Sequence, residues 1–380
     1  MSTILSKREC NVERQKEIDL AKGIAIIFMI WVHVNETYLS EAVSGGIYSR
    51  VVEFLGSPPA APVFMFSLGI GIVYSRRSTT ANLFERGINL FLLGYILNFI
   101  RDFLPCYILF KMNNDISYIR DGWELLWGID ILQFSGLVFI FFSLVKKFKL
   151  KNVILYLILC GFVTLNILIK NIYFESAFLN RLMGLVWGTD EFSWFPFLTW
   201  IAFPILGYYF GQVLIRCNDK NKFYKKIFFI SGSISIPLWI YSYINDVKFG
   251  AFGALYQTEY YHHDIVANII LSIFVLFWIS ICFFSCEYIP EKVYDNIKRW
   301  SGNITKMYCI HQIILGLLLL VLEENMYTPI FSCILSFIIF CVTDICCIFF
   351  NSIKDNRRKG TKDKKAIVSK ETEIFYGYSR

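Results

Sequence analysis

Long apolar runs separated by short charged clusters fill the chain from about residue 23 to residue 350. Runs long enough to cross a bilayer occupy residues 23–38, 60–74, 88–103, 125–145, 153–172, 195–215, 227–244, 265–286, 304–322 and 329–350. The pattern predicts an all-α integral membrane protein, with about ten transmembrane helices in one bundle.

Charge gives the bundle a direction. Threading the chain through ten crossings divides the connections into two alternating sets, and most of the 37 Lys and Arg residues fall in one of them. Lys146, Lys147, Lys149, Lys151, Lys220, Lys222, Lys225 and Lys226 mark the inside, whereas Glu36, Glu41, Glu53, Asp190, Glu191, Glu323 and Glu324 mark the outside. Both termini are therefore expected in the cytoplasm. Residues 1–22 form a basic head, 23–350 the membrane domain, and 351–380 a basic, unstructured tail.

Composition supports the same picture. The 380 residues are 56% hydrophobic and only 18% charged, with a mean hydropathy of +0.52, far more apolar than a soluble domain. The net charge of +7 follows from topology, so no nucleic-acid partner is needed. The basic start resembles a signal peptide, but its apolar run is long, lacks a small-residue cleavage site and is retained as the first helix. The 11 cysteines lack metal-type spacing and read as small apolar filler. A bias toward Ile, Asn, Lys and Phe hints at an AT-rich bacterial genome, and the expected location is the plasma membrane.

With no soluble domain attached, any chemistry falls to ionisable residues in or beside the helices. The first helix carries the sharpest set, Asp19, Lys22 and His33 in EIDLAKGIAIIFMIWVHVNE. At about 100° per residue Lys22 and His33 share a face, with Asp19 one turn before and Glu36 one turn after. That polar stripe rises about 16 Å from Lys22 to His33, which places the imidazole in the outer half of the bilayer. A histidine there can take and return a proton near neutral pH and activate a hydroxyl nucleophile. It can equally be a hydrogen-bonded contact between helices, with Lys22 snorkelling to head groups.

These residues resemble a known family. Lys22, ten residues and then His33 match the basic-to-histidine motif of the type-3 membrane acyltransferases. PVFMFSLGIGIVYSRR, ILQFSGLVFIFF and WFPFLTWIAFPILGYYFGQVL are similar to stretches of the heparan-alpha-glucosaminide N-acetyltransferase-like bacterial membrane proteins, and RWSGNITKMYCIHQIIL resembles their late Tyr-to-His helix. The resemblance implies transfer of an acyl group, usually acetyl, from cytoplasmic acyl-CoA to a carbohydrate acceptor on the far side of the membrane. His33 would be general base or transient acyl acceptor, with Lys22 and Asp19 at the entrance. No histidine follows the first helix near Gly45 and Gly46, where the eukaryotic N-acetyltransferases place theirs, which favours O-acylation.

The loop after the second predicted helix carries Arg76, Arg77 and Arg86, and arginine forks suit the phosphates of CoA. They also satisfy the positive-inside rule. His311 lies within the ninth run, one turn above Tyr308, where it could join His33 in a common cavity or simply bridge two helices. His262 and His263, beside Tyr260, Tyr261 and Asp264, fall on an outer loop, where they could face an acceptor but more often are plain interfacial residues. Trp123, Trp127, Trp187 and Trp194 read as an interfacial belt. A glycine-rich phosphate loop, a zinc motif and a serine elbow are all missing from the sequence. A proton-coupled permease of a polysaccharide or small molecule is the competing reading, since buried His, Lys and Asp suit a carrier as well. A membrane scaffold in which the stripe is interhelical glue is a third.

Overall fold

The computed structural model describes the backbone of residues 4–169, 172–188, 192–245 and 258–377, and the side chains of all of these except 242–243, 258–259 and 355–377. Asp190 and Glu191, two of the expected outer markers, lie outside the described residues. Among the described residues there is no β-strand, only three isolated bridges between loops.

The chain starts with α1 (Lys16–Tyr38), followed by the short α2 (Ile47–Gly56) and α3 (Ala61–Tyr74). Pro62 sits in the first turn of α3, where its missing N–H has no helical partner to lose. α4 (Thr80–Asn98) is capped by Thr79, whose Oγ1 accepts from the Asn82 N–H at 3.3 Å. A π turn, Phe99–Phe103, joins it to α5 (Leu104–Asn113). Then come α6 (Ser117–Leu126), α7 (Ile131–Lys147), α8 (Asn152–Ile169), α9 (Ala177–Gly184) and α10 (Phe197–Trp200). The rest are α11 (Ala202–Leu214), α12 (Lys220–Ile244), α13 (Thr258–Tyr261), α14 (Ile265–Ser285), α15 (Glu291–Gly302), α16 (Ile304–Leu318) and α17 (Pro329–Gly377).

A helix underlies each of the ten predicted runs. Six helical stretches among the described residues are long and apolar enough to cross a membrane: Ile47–Tyr74, Thr80–Asn113, Asn152–Ile169, Phe197–Leu214, Ile265–Tyr288 and Pro329–Lys354. α16 is apolar but shorter, and α1, α7 and α12 are not among the six. Run boundaries shift for local reasons. The run at 88–103 continues through the π turn to Asn113, and the run at 125–145 breaks before Ile131 because Asp130 caps α7. At the end of the chain the α17 backbone stays helical to Gly377, where an unstructured tail is expected from 351. Residues 354–377 are rich in Lys and Arg, good helix formers with no apolar stripe to bury.

α1 lies at the centre, packed against α2, α3, α14, α15, α16 and α17. Ala21, Ala25, Ile26, Ile30, Val34 and Tyr38 on it are fully buried, the mark of a helix enclosed by others rather than lying on one face. Glycines set the closest crossings. A Cβ at Gly69 of α3 would stand 2.0 Å from the Pro204 carbonyl of α11, and one at Gly207 1.9 Å from the Phe66 carbonyl, so only glycine lets these backbones meet.

Candidate active site

The basic end of α1 is tied down by ion pairs. Glu17, almost fully buried, receives the Lys220 ammonium at 2.7 Å and the Tyr224 hydroxyl at 2.9 Å. Asp19 accepts from Arg14 Nη2 at 2.9 Å, Ser301 Oγ at 2.5 Å and the Tyr294 hydroxyl at 3.1 Å, with Lys22 Nζ 3.7 Å away. Burial alone would raise the Asp19 pKa, but the bonds from Arg14 and Ser301 and the Lys22 charge hold the carboxyl below its ordinary value. Asp19 is about 21 Å below His33 by helix rise. It anchors α1 to α15 and steadies Lys22; it does not meet the histidine.

Above this anchor a cavity of about 820 Å³ is lined by Lys22, Arg77, Arg86 and Lys306, together with Ser75, Ser78, Asn82, Asn89, Ser135 and Thr305. Arg86 stands with its guanidinium 4.4 Å from the centre of the Phe139 ring, a cation–π contact that holds it against α7. Arg77 is exposed at the same mouth. Arg76 is exposed as well but does not line this cavity. Lys306, which sequence reasoning passed over, completes the cationic lining from α16.

A second cavity, about 340 Å³, occupies the acidic end. Its wall carries His33, Glu36, Arg101, Asp102, Asp130, Gln312 and Glu324, with Trp194, Tyr260, Tyr261 and Tyr308 as aromatic surfaces. Met29, Phe64, Ile131 and Tyr308 line both cavities and mark where the two adjoin.

The histidines of α1 and α16 do come together. His33 Nδ1 lies 3.0 Å from His311 Nε2. The ring centroids are 5.3 Å apart and the planes differ by 3°. That separation is the N···N distance plus the two ring radii, so the imidazoles lie edge to edge in one plane. This is hydrogen-bond geometry, not a face-to-face stack. His311 is fully buried, and its Nδ1 is 2.8 Å from the Met307 carbonyl one turn back. Gln312 Nε2 is 3.0 Å from the same His33 Nδ1.

Beside the pair sits a charged network absent from the sequence expectations. Arg101 Nε donates to both Asp102 oxygens at 2.9 Å, its Nη1 donates to Asp130 Oδ2 at 2.9 Å, and the Tyr308 hydroxyl donates to the same Asp130 oxygen. Asp130 Oδ1 accepts from the Ile131 N–H at 2.6 Å, and Gln133 completes a capping box, so one carboxylate both starts α7 and holds Arg101. The π turn places Arg101 and Asp102 where a regular helix would rotate them elsewhere. The signal was available: Arg101, Asp102 and Asp130 are ionisable residues inside predicted membrane runs. Glu36 leaves one carboxylate oxygen, Oε1, buried without a hydrogen-bond partner in the wall of this cavity.

His262 and His263 differ from the expectation of an open acceptor surface. His263 is buried edge-on to Trp200 with Nδ1 2.9 Å from the Tyr260 carbonyl, and His262 Nε2 is 2.6 Å from the Ser193 carbonyl. His262 thus ties its loop to the loop at Ser193, and the His263 contact is local, closing the turn after Tyr260. Loop 127–130 also pairs with loop 192–195, with Trp194 N–H donating to the Ile129 carbonyl at 3.0 Å, which sets Trp194 into the cavity wall.

Comparison with known proteins adds a family. The model described as heparan-alpha-glucosaminide N-acetyltransferase, catalytic, matches residues 14–241, more than half the chain. The match takes in His33, Arg101 and Asp130, and stops short of Tyr308, His311 and Gln312. No curated protein and no solved structure matches the chain.

Proposed function

This chain belongs to the heparan-alpha-glucosaminide N-acetyltransferase catalytic family, a family of acetyltransferases, and from that premise we propose that it carries an acetyl group across the plasma membrane, from cytoplasmic acetyl-CoA to a glycan hydroxyl outside. The observation that carries the reading is a pair of adjoining cavities that share Met29, one turn below His33, in their walls.

In this reading all ten helical runs cross the bilayer, with both termini and the basic end in the cytoplasm. The donor lies in the larger cavity, its phosphates among Lys22, Arg77, Arg86 and Lys306, for which guanidinium forks and ammonium groups are the natural partners. Arg76 contributes to the positive field at the mouth without direct contact. The pantetheine arm passes Met29, Phe64, Ile131 and Tyr308, where the cavities adjoin, bringing the thioester carbonyl to His33.

The smaller cavity suits a sugar: aromatic faces from Trp194, Tyr260 and Tyr261 for the ring, and carboxylate and amide groups from Glu36, Asp102 and Gln312 for hydroxyls. His33 takes the proton of the acceptor hydroxyl as its oxygen attacks the thioester carbonyl. The carbon–sulfur bond breaks, and the proton passes on to the departing coenzyme A thiolate.

The test is release of coenzyme A thiol from acetyl-CoA by purified protein in lipid nanodiscs supplied with bacterial surface glycan. Glycan-dependent release that disappears in His33→Ala supports the assignment. Release of the same size in that variant, or none with any glycan offered, overturns it.

A further inference from the structure

The Met307 carbonyl can only accept a hydrogen bond, so the His311 nitrogen 2.8 Å from it must carry a proton. In the neutral ring that leaves Nε2 of His311 as a lone pair, and this lone pair points in plane at His33 Nδ1 from 3.0 Å. If His33 carried its proton on Nε2, two lone pairs would face each other there. If His311 were doubly protonated instead, a cation would sit on a ring with no exposed surface and no hydrogen-bonded carboxylate, which burial strongly disfavours. The arrangement left is a proton on His33 Nδ1, donated to His311 Nε2.

We propose that His311 is a positioning residue that holds the His33 proton on Nδ1 and so leaves Nε2 of His33 unprotonated at the outer cavity, ready to take a proton from the acceptor. A buried neutral imidazole, itself fixed by a helix carbonyl, here does the orienting done by a carboxylate in a Ser-His-Asp triad. Gln312 follows from the same assignment. Its carboxamide turns so that the oxygen, not the nitrogen, faces Nδ1–H, and the freed amide N–H groups face the acceptor; the flip breaks no other recorded hydrogen bond of that amide. The use of Nε2 as base rests on the acetyl-transfer reading, whereas the tautomer itself does not.

The chain has only 4 histidines, which makes the tautomer directly measurable. Nitrogen-15 NMR of histidine-labelled protein in lipid, assigned with His33→Asn and His311→Leu, reads which nitrogen of each ring bears the proton. The expected spectrum has both His33 and His311 protonated at Nδ1, with a coupling across the hydrogen bond, and His311→Leu shifts His33 toward the Nε2-protonated form. A wild-type His33 protonated on Nε2 overturns the proposal whether or not the protein transfers acetyl groups. The kinetic arm compares His311→Leu with His311→Gln, whose carboxamide oxygen can replace the Nε2 acceptor. The leucine variant should lose at least tenfold in kcat with the acetyl-CoA KM unchanged, and the glutamine variant should recover part of it. Full activity in the leucine variant, or equal losses in both, contradicts the positioning role. Loss of glycan-dependent transfer by the wild type would sink the acetyl-transfer reading and leave the tautomer to the spectrum.

Discussion

His33 and Arg101 show how differently two buried ionisable groups act within one cavity. In the proposed reading His33 is the general base, and replacing it with alanine should cut acetyl transfer by about 10²- to 10⁴-fold, the usual worth of general base catalysis, with little change in thermal unfolding. Arg101 is held against two carboxylates, so Arg101→Leu leaves Asp102 and Asp130 uncompensated. It should lower stability by about 3–5 kcal/mol, and adding Asp130→Asn should return part of that loss in detergent unfolding experiments. Asp19 supplies a pH-dependent term. Its folded-state pKa lies below the unfolded value, so its ion pair stabilises the fold above about pH 4 and the contribution is lost as pH falls through the depressed value. The stability gap between wild type and Asp19→Asn should therefore be widest near neutral pH and close in acid. A gap of the same size at every pH would show that packing, not charge, carries the difference.

Among the elements, the π turn between α4 and α5 is the one on which the site depends most visibly. Gly316 of α16 presses against it, and a Cβ there would stand 2.1 Å from the Arg101 carbonyl. Gly316→Ala should push the turn away, reducing transfer and stability together, whereas Gly161→Ala on α8, where a Cβ meets nothing within 4 Å, should leave both unchanged. Activity and unfolding of the two variants side by side provide the check. This turn was also the least legible feature in the sequence. Helix periodicity found the run at 88–103 but could not show that one extra residue per turn there would swing Arg101 and Asp102 toward Asp130. By contrast, the stripe linking Lys22 to His33 follows from the constant pitch of α1 and needed only counting. The pairing of His33 with His311 depends on α1 and α16, separated by most of the chain, lying side by side, which no local pattern encodes.

At the scale of the whole molecule, charge is unequal along the bundle. Lys22, Arg77, Arg86 and Lys306, with Glu85, line the basic cavity, and Glu36, Asp102, Asp130 and Glu324, with Arg101, the acidic one. The positive-inside pattern made the two ends visible from sequence, but the cavities themselves are lined by residues from helices far apart in the chain, which no local pattern brings together. If the basic cavity binds the donor, Arg86→Gln and Lys306→Gln should each raise the acetyl-CoA KM several-fold while leaving kcat close to wild type, because they touch the phosphates and not the reacting carbon. A fall in kcat with KM unchanged would move those residues to another task. The most direct test of transfer through the bundle uses inside-out membrane vesicles given radiolabelled acetyl-CoA on the outside, which is the cytoplasmic face. The account predicts label on lumenal glycan with wild-type protein and almost none with His33→Ala at matched expression. Label that stays on the donor side, or reaches the lumen equally in the variant, would contradict it.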